Sequence, residues 1–227
     1  MIERDYILRM FQLLRKGLAR ILFLKESGKT EEAALEIDDT SRALLGLTME
    51  MVERMNLTEL KRILGSDSAL VQSKLYVCGI LLKERAGLLE VAGETEVSLS
   101  LYMRSLRLLL EEVPLVEDFD IEKRTAAINA TILKLDEYEL PLELSKQLMA
   151  YYEKSGRYDK AEDLIFDIME EDVSFSHEAF SFYHRLLNKT DTDLQSGNLP
   201  REEVEDGMVQ LKKKVANFEN TGELSGE

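Results

Sequence analysis

Histidines, a thiol and clustered carboxylates are the side chains from which chemistry would start, and in this chain each is sparse or poorly spaced. The two histidines, His177 and His184, stand seven residues apart. On a helix that places them on one face but two turns and about 10 Å apart, whereas zinc-binding histidines on a helix are typically four apart. Neither has a carboxylate three or four residues away, and the single cysteine, Cys78, is far upstream. Two structural histidines and no metal site is the favoured reading.

The segment from Asp191 to Glu202 nearly spells a calcium loop, with oxygen donors at its first, third, fifth and twelfth positions. The turn glycine should be sixth, yet Gly197 is seventh. Leu199 occupies a ligand position and Pro200 stiffens the exit, so a capped connector explains the segment better. The acidic run Glu117-Asp118-Phe119-Asp120-Ile121-Glu122 reads as a loop in which Asp120 caps the following helix. Gly28-Lys29-Thr30 ends like a phosphate loop, but Phe23 stands where the upstream glycine belongs and no strand precedes it. Adjacent carboxylates such as Glu31 and Glu32, or Glu111 and Glu112, point to different helix faces and cannot work as a pair. No nucleophile elbow or dinucleotide fingerprint is present. Catalytic, cofactor-binding and metal residues are assigned to none, and nothing nominates an enzyme.

The elements that would carry these residues are helices. Apolar residues recur at three and four almost throughout, and no period-two run of β-branched residues occurs. The spacing predicts helices at 2–27, 30–46, 48–64 (broken near Asn56), 67–92, 95–113, 121–139, 142–155, 158–171, 175–189 and 201–218. Residues 219–227 lack periodicity and read as a frayed tail. The three prolines sit outside helix interiors: Pro114 after one predicted helix, Pro141 and Pro200 at the first position of others. Gly28, Gly93 and Gly156 fall where helices end. Each is preceded at −4 by a large apolar residue (Leu24, Leu89, Tyr152) and followed at +5 by a small one (Ala33, Ser98, Ala161). At +9 comes a large residue again (Ile37, Tyr102, Ile165). That pattern suits a helix, a tight turn and a second helix folded back closely on the first.

The stretch Leu148-Met149-Ala150-Tyr151-Tyr152-Glu153-Lys154-Ser155-Gly156-Arg157-Tyr158-Asp159-Lys160-Ala161-Glu162-Asp163-Leu164-Ile165 resembles the tetratricopeptide (TPR) motif. It departs at Met149, where the family prefers a small residue, and at Ser145, where an aromatic is usual. The opening Met1-Ile2-Glu3-Arg4-Asp5-Tyr6-Ile7-Leu8-Arg9-Met10, together with this hairpin, is similar to an uncharacterised family of bacterial TPR-like proteins. The resemblance implies a fold and no known activity.

Composition bounds function further. Net charge is −15, from 44 acidic and 29 basic residues, the wrong sign for a nucleic-acid binder; solubility is the plainer reading of the acidity, and steering of a basic partner the sharper one. One thiol excludes an internal disulfide and fits a reducing compartment. The longest apolar run, residues 75–82, is too short to span a bilayer, which takes roughly 20 apolar residues. A buried helix segment explains it, and no signal peptide is read at the N-terminus. A cytoplasmic protein is expected. The first helix is the exception to the acidity: up to Lys29, seven basic residues oppose three acidic ones, giving +4 and leaving −19 for the rest. Its apolar residues cover more than one stripe, which predicts a helix buried on two sides with its basic face paired to acidic helices. Self-association through helix 2–27 and attachment to an anionic membrane surface are the alternatives, the membrane being the less favoured.

These readings converge on an all-α protein of stacked antiparallel helix hairpins, TPR-like. One domain is expected over 1–219, with possible sub-halves 1–114 and 120–219 and a disordered tail at 220–227. An interaction scaffold for a protein or peptide is the expected function, with a partner groove at Glu143, Lys146, Ala150 and Glu153 on the best hairpin. An asparagine that clamps peptide carboxylates in some TPR proteins is replaced here by Ala150. A small-ligand sensor with a pocket between helices is the second hypothesis, an enzyme with dispersed residues the third; a homodimer or a membrane-docking adaptor is a further alternative.

Overall fold

A computed structural model describes residues 2–66, 68–111 and 121–221. Among these, all regular structure is helical, with no strand. The chain divides into two compact units, Met1–Glu139 and Leu140–Glu227. The boundary therefore falls at 139/140 and not in the 114–120 stretch, because the helix that follows that stretch belongs with the first unit.

The first unit opens with the hairpin α1 (Ile2–Glu26) and α2 (Thr30–Leu45), continues through two short helices, α3 (Met49–Arg54) and α4 (Leu57–Leu64), and then forms a second hairpin from α5 (Ser68–Val91) and α6 (Thr95–Leu110). Helix α7 (Ile121–Leu135) packs on α6. The central element is α5, which touches α1, α2, α3, α4 and α6. It is apolar around its circumference, as a helix surrounded by others must be: Leu75, Val77, Cys78, Leu81 and Leu82 are fully buried. The break expected near Asn56 is present for a local reason. Asn56 Oδ1 accepts from Glu59 N, and Glu59 Oε2 accepts from Asn56 N, both at 3.0 Å, a reciprocal cap that starts α4 afresh.

The second unit contains α8 (Leu142–Lys154), α9 (Tyr158–Glu171), a 3-10 turn at Val173–Phe175, α10 (Ser176–Leu187), α11 (Asp191–Ser196) and α12 (Arg201–Thr221). Helix α8 pairs with α9, and α10 packs on α12. Its core includes Leu148, Ile165, Phe182, Tyr183, Leu194 and Leu211.

The three glycines singled out in the sequence end α1, α5 and α8 with one shared turn. Gly28, Gly93 and Gly156 lie at φ +72°, +83° and +73°, and in each turn two backbone bonds close the helix end. The glycine N–H donates to the carbonyl three residues back, and the next N–H donates to the carbonyl five back, on Leu24, Leu89 and Tyr152 respectively. This is the left-handed helix stop that favours a residue without Cβ. The small residues at +5 are buried (Ala33 0%, Ser98 2%, Ala161 0% exposed), as are Ile37, Tyr102 and Ile165.

Several boundaries differ from expectation. Pro141 and Pro200 stand one residue before α8 and α12, where their carbonyls accept the first helical N–H groups. Residues 219–221 continue α12, whereas 222–227, Pro114 and Asp120 lie outside the described residues. The connector at 191–202 contains the short helix α11. It is a clasp: Asp191 is held by Arg201, Asp193 is bonded to the Thr190 hydroxyl, and the Gly197 carbonyl accepts from Tyr158 N and Asp159 N at the start of α9. Two of the carboxylates at the calcium positions, Asp191 and Asp193, are thus engaged by side chains of the same unit. No helix among the described residues is long and apolar enough to cross a membrane.

Candidate functional site: a cation-rimmed apolar groove

Helix α1 does not have the two buried sides its apolar residues suggest. Ile7, Met10, Phe11, Leu14 and Ile21 are buried, but Leu22 is 54% and Phe23 64% exposed. The reason is packing: α2 and α5 cover one flank of α1, and Leu18 and Leu22, with the buried Phe11 and Leu14, line an open groove of about 470 Å³ that Phe23 does not reach. One wall is α1, with Phe11, Leu14, Arg15, Leu18 and Leu22. The floor is α5, with Tyr76, Ile80, Lys83 and Glu84. The opposite wall is α7, with Lys123, Ala126, Ala127 and Ala130.

On all three helices the lining residues recur at three and four, so each presents a stripe that runs along its axis. The floor is fixed by Phe11 meeting Tyr76 edge-on, ring centroids 5.8 Å apart. Helix α7 is fastened at both ends. Near its start, Arg124 donates to the Leu109 carbonyl (3.1 and 3.0 Å) and to that of Glu111 (2.9 Å), capping the exposed end of α6. Near its end, Lys134 Nζ donates to Glu90 Oε1 (2.7 Å), whose other oxygen accepts from Tyr102 Oη (2.9 Å). Between these ties, exposed Ala126 and Ala130 face the groove and present only methyl groups.

The lining carries three cations, Arg15, Lys83 and Lys123, against one carboxylate, Glu84. Glu84 is shared by Lys25 (2.8 Å) and Lys83 (2.9 Å). Burial pushes its carboxyl upward, but Lys83 and Lys25 together hold it below the usual carboxylate value. It is therefore ionised at neutral pH. The basic face of α1 is partly paired as expected: Arg20 meets Glu36 on α2 at 2.9 Å, and Lys25 meets Glu84 on α5. In a chain of net charge −15, this groove is a local exception.

The family model described as "Family of unknown function (DUF6483)" matches residues 1–216. The chain belongs to this family. Comparison with curated proteins and with solved structures returns no match. In this family member, the four residues expected to form a partner groove do share one face of α8, but three of them, Glu143, Lys146 and Glu153, are engaged within their own unit. Lys146 Nζ donates to Glu143 (3.0 Å) and Asp172 (2.9 Å), and Arg185 grips Glu153 through two bonds of 2.6 and 2.8 Å. Glu143 and Ala150 are exposed. Cys78 is fully buried within α5, and burial pushes its thiol up to about 12, which leaves it protonated and unreactive at neutral pH. Among the described residues, no cluster of three or more His, Cys, Asp or Glu side chains could hold a metal. The groove was not foreseen in the sequence; its one signal was the surplus apolar stripe on α1.

Proposed function

We propose that this protein is a binding module for another protein, which it holds in the groove between α1 and α7. The observation that carries the reading is an open apolar trough, rimmed by cations in an acidic chain, whose far wall is tied at both ends. Apolar floors supply contact area and charged rims supply orientation, the division of labour usual at protein interfaces. The threefold recurrence of one turn geometry supports a TPR-like hairpin repeat, a class that works by binding. Cytoplasmic residence belongs to the same reading.

The test is site-specific photocrosslinking in cells that naturally make the protein. A photoreactive phenylalanine at Ala130 is expected to give a discrete protein adduct, and one at Ala150 on α8 is not. Adding Ala126→Trp, which fills the trough, removes the adduct. Equal adducts at both positions, or adducts indifferent to the tryptophan, would refute the assignment. A second reading has one observation in its favour: about 470 Å³ also falls within the range of small-ligand pockets. In that case native mass spectrometry would show an anionic amphiphile of low mass retained by the protein and lost in Ala126→Trp.

A further inference from the structure

We infer that a second face of α1, separate from the groove, docks on the surface of an anionic lipid bilayer. Tyr6, Arg9, Leu13, Lys16, Arg20 and Phe23 follow one another at alternating steps of three and four, so they form a single stripe along the helix. It runs for about 26 Å at 1.5 Å per residue. All six residues are exposed, the apolar ones among them heavily so: Tyr6 48%, Leu13 46% and Phe23 64%. None of the six lines the groove.

The charge on this helix has one sign. From Tyr6 to Lys25 it contains five cations and no carboxylate, in a chain with 44 acidic residues. Arg20 shares its charge with Glu36 on α2 at 2.9 Å. Arg9 and Lys16 make no hydrogen bond or ion pair among the described residues, so their charge is available to an anionic partner. The acidity of the rest of the chain is screened beyond about 8 Å at physiological ionic strength, which leaves the local positive charge to act.

The order of residues along the stripe favours a bilayer over a protein. Apolar side chains and cations are interleaved, whereas a protein interface gathers its apolar contacts at the centre and keeps charge at the rim. Burying this stripe against a protein would carry Arg9 and Lys16 in with Leu13. At a membrane surface, long cationic side chains reach up to the phosphates while neighbouring aromatic and leucine side chains enter the acyl boundary. Lipid headgroups also diffuse to wherever the cations stand. A second copy fits badly: α1 against α1 sets Arg9 opposite Arg9 when parallel, or opposite Arg20 when antiparallel, and like charges repel.

The probe is the full chain mixed with vesicles of phosphatidylcholine alone, or of phosphatidylcholine with phosphatidylserine, and separated by flotation. Binding to the anionic vesicles should be at least about tenfold tighter, and the double variant Arg9→Glu, Lys16→Glu should lose that preference. The chain has no tryptophan, so Phe23→Trp supplies a lone reporter whose emission should shift to the blue on anionic vesicles, while that of Ala150→Trp on α8 should not. Circular dichroism checks that each variant keeps its helix content. Ala126→Trp, which fills the groove, should leave vesicle binding unchanged, so the lipid face and the groove can fail separately. Equal binding to both kinds of vesicle, binding to neither, or unshifted emission from Phe23→Trp would overturn the inference. So would a discrete protein adduct from a photoreactive phenylalanine at Leu13, which would make the stripe a protein contact.

Discussion

Replacing Gly207 by alanine sets two effects of opposite sign against each other. Gly207 lies inside α12, and there an alanine should gain about 1 kcal/mol in helix propensity. It is also buried where α12 crosses a hydrogen bond from Tyr183 Oη to Glu162 Oε1 (2.7 Å). A Cβ at this position would stand 2.6 Å from Tyr183 Oη and 2.9 Å from Tyr183 Cε1, and would press on Glu162 Oε1. Glu162 can swing away, but Tyr183 is 0% exposed and has nowhere to go. Overpacking of this kind costs about 1–3 kcal/mol, and parting a buried hydroxyl from a carboxylate costs about 1.5–3 kcal/mol more. The clash wins, and Gly207→Ala should lose about 1.5–5 kcal/mol net. Urea denaturation followed by circular dichroism at 222 nm measures this without relying on tryptophan, of which the chain has none. In a Tyr183→Phe background the hydroxyl and its bond are gone but the ring carbon stays, so the additional cost of Gly207→Ala should fall by about 1.5–3 kcal/mol. A Gly207→Ala protein as stable as the wild type, or an undiminished cost in the phenylalanine background, would refute the reasoning.

Other outcomes follow from the same structure. Alanine at Gly28, Gly93 or Gly156 would meet nothing within 4 Å, so each should cost only the left-handed backbone strain, about 1–2 kcal/mol, read as a shift in urea midpoint at constant slope. Burial, with the neighbouring carboxylates Asp163, Glu203 and Asp159, outweighs the opposing bond from Tyr183 and leaves Glu162 with a pKa above its usual 4.5. Its charge therefore weakens the fold at neutral pH. Glu162→Gln should stabilise the protein at pH 7, and the gain should vanish as pH falls below about 4.5. Glu84 is the reverse: with a lowered folded pKa, its pairing stabilises above the unfolded value and is lost as pH falls through the folded one. Lys25→Met should accordingly destabilise most at neutral pH, with the difference from wild type shrinking below about 4.5; stability curves from pH 3 to 8 would show it.

Local interactions were legible in the residues. Gly28, Gly93 and Gly156 were readable as turns because a left-handed helix stop needs no partner beyond its own last carbonyls. Ala33, Ser98 and Ala161 followed as the close-contact positions one turn on. Asn56 was readable as a break because Asx caps act within four residues. The sequence alone therefore determined that the chain is helical and where most helices start and stop. It also showed that α1 has more apolar surface than one neighbour needs. Where that surplus goes was decided in three dimensions. Helix α7 is fastened to α6 by Arg124 and to Glu90 by Lys134, bonds between residues 13 and 44 apart in the chain, and those ties hold it away from α1 and leave the trough between them. Likewise, Lys146 and Glu153 share the face their spacing predicted, but their partners Asp172 and Arg185 arrive from other elements. Periodicity reports which face of a helix is greasy; which neighbour covers it, and whether any does, depends on long-range packing.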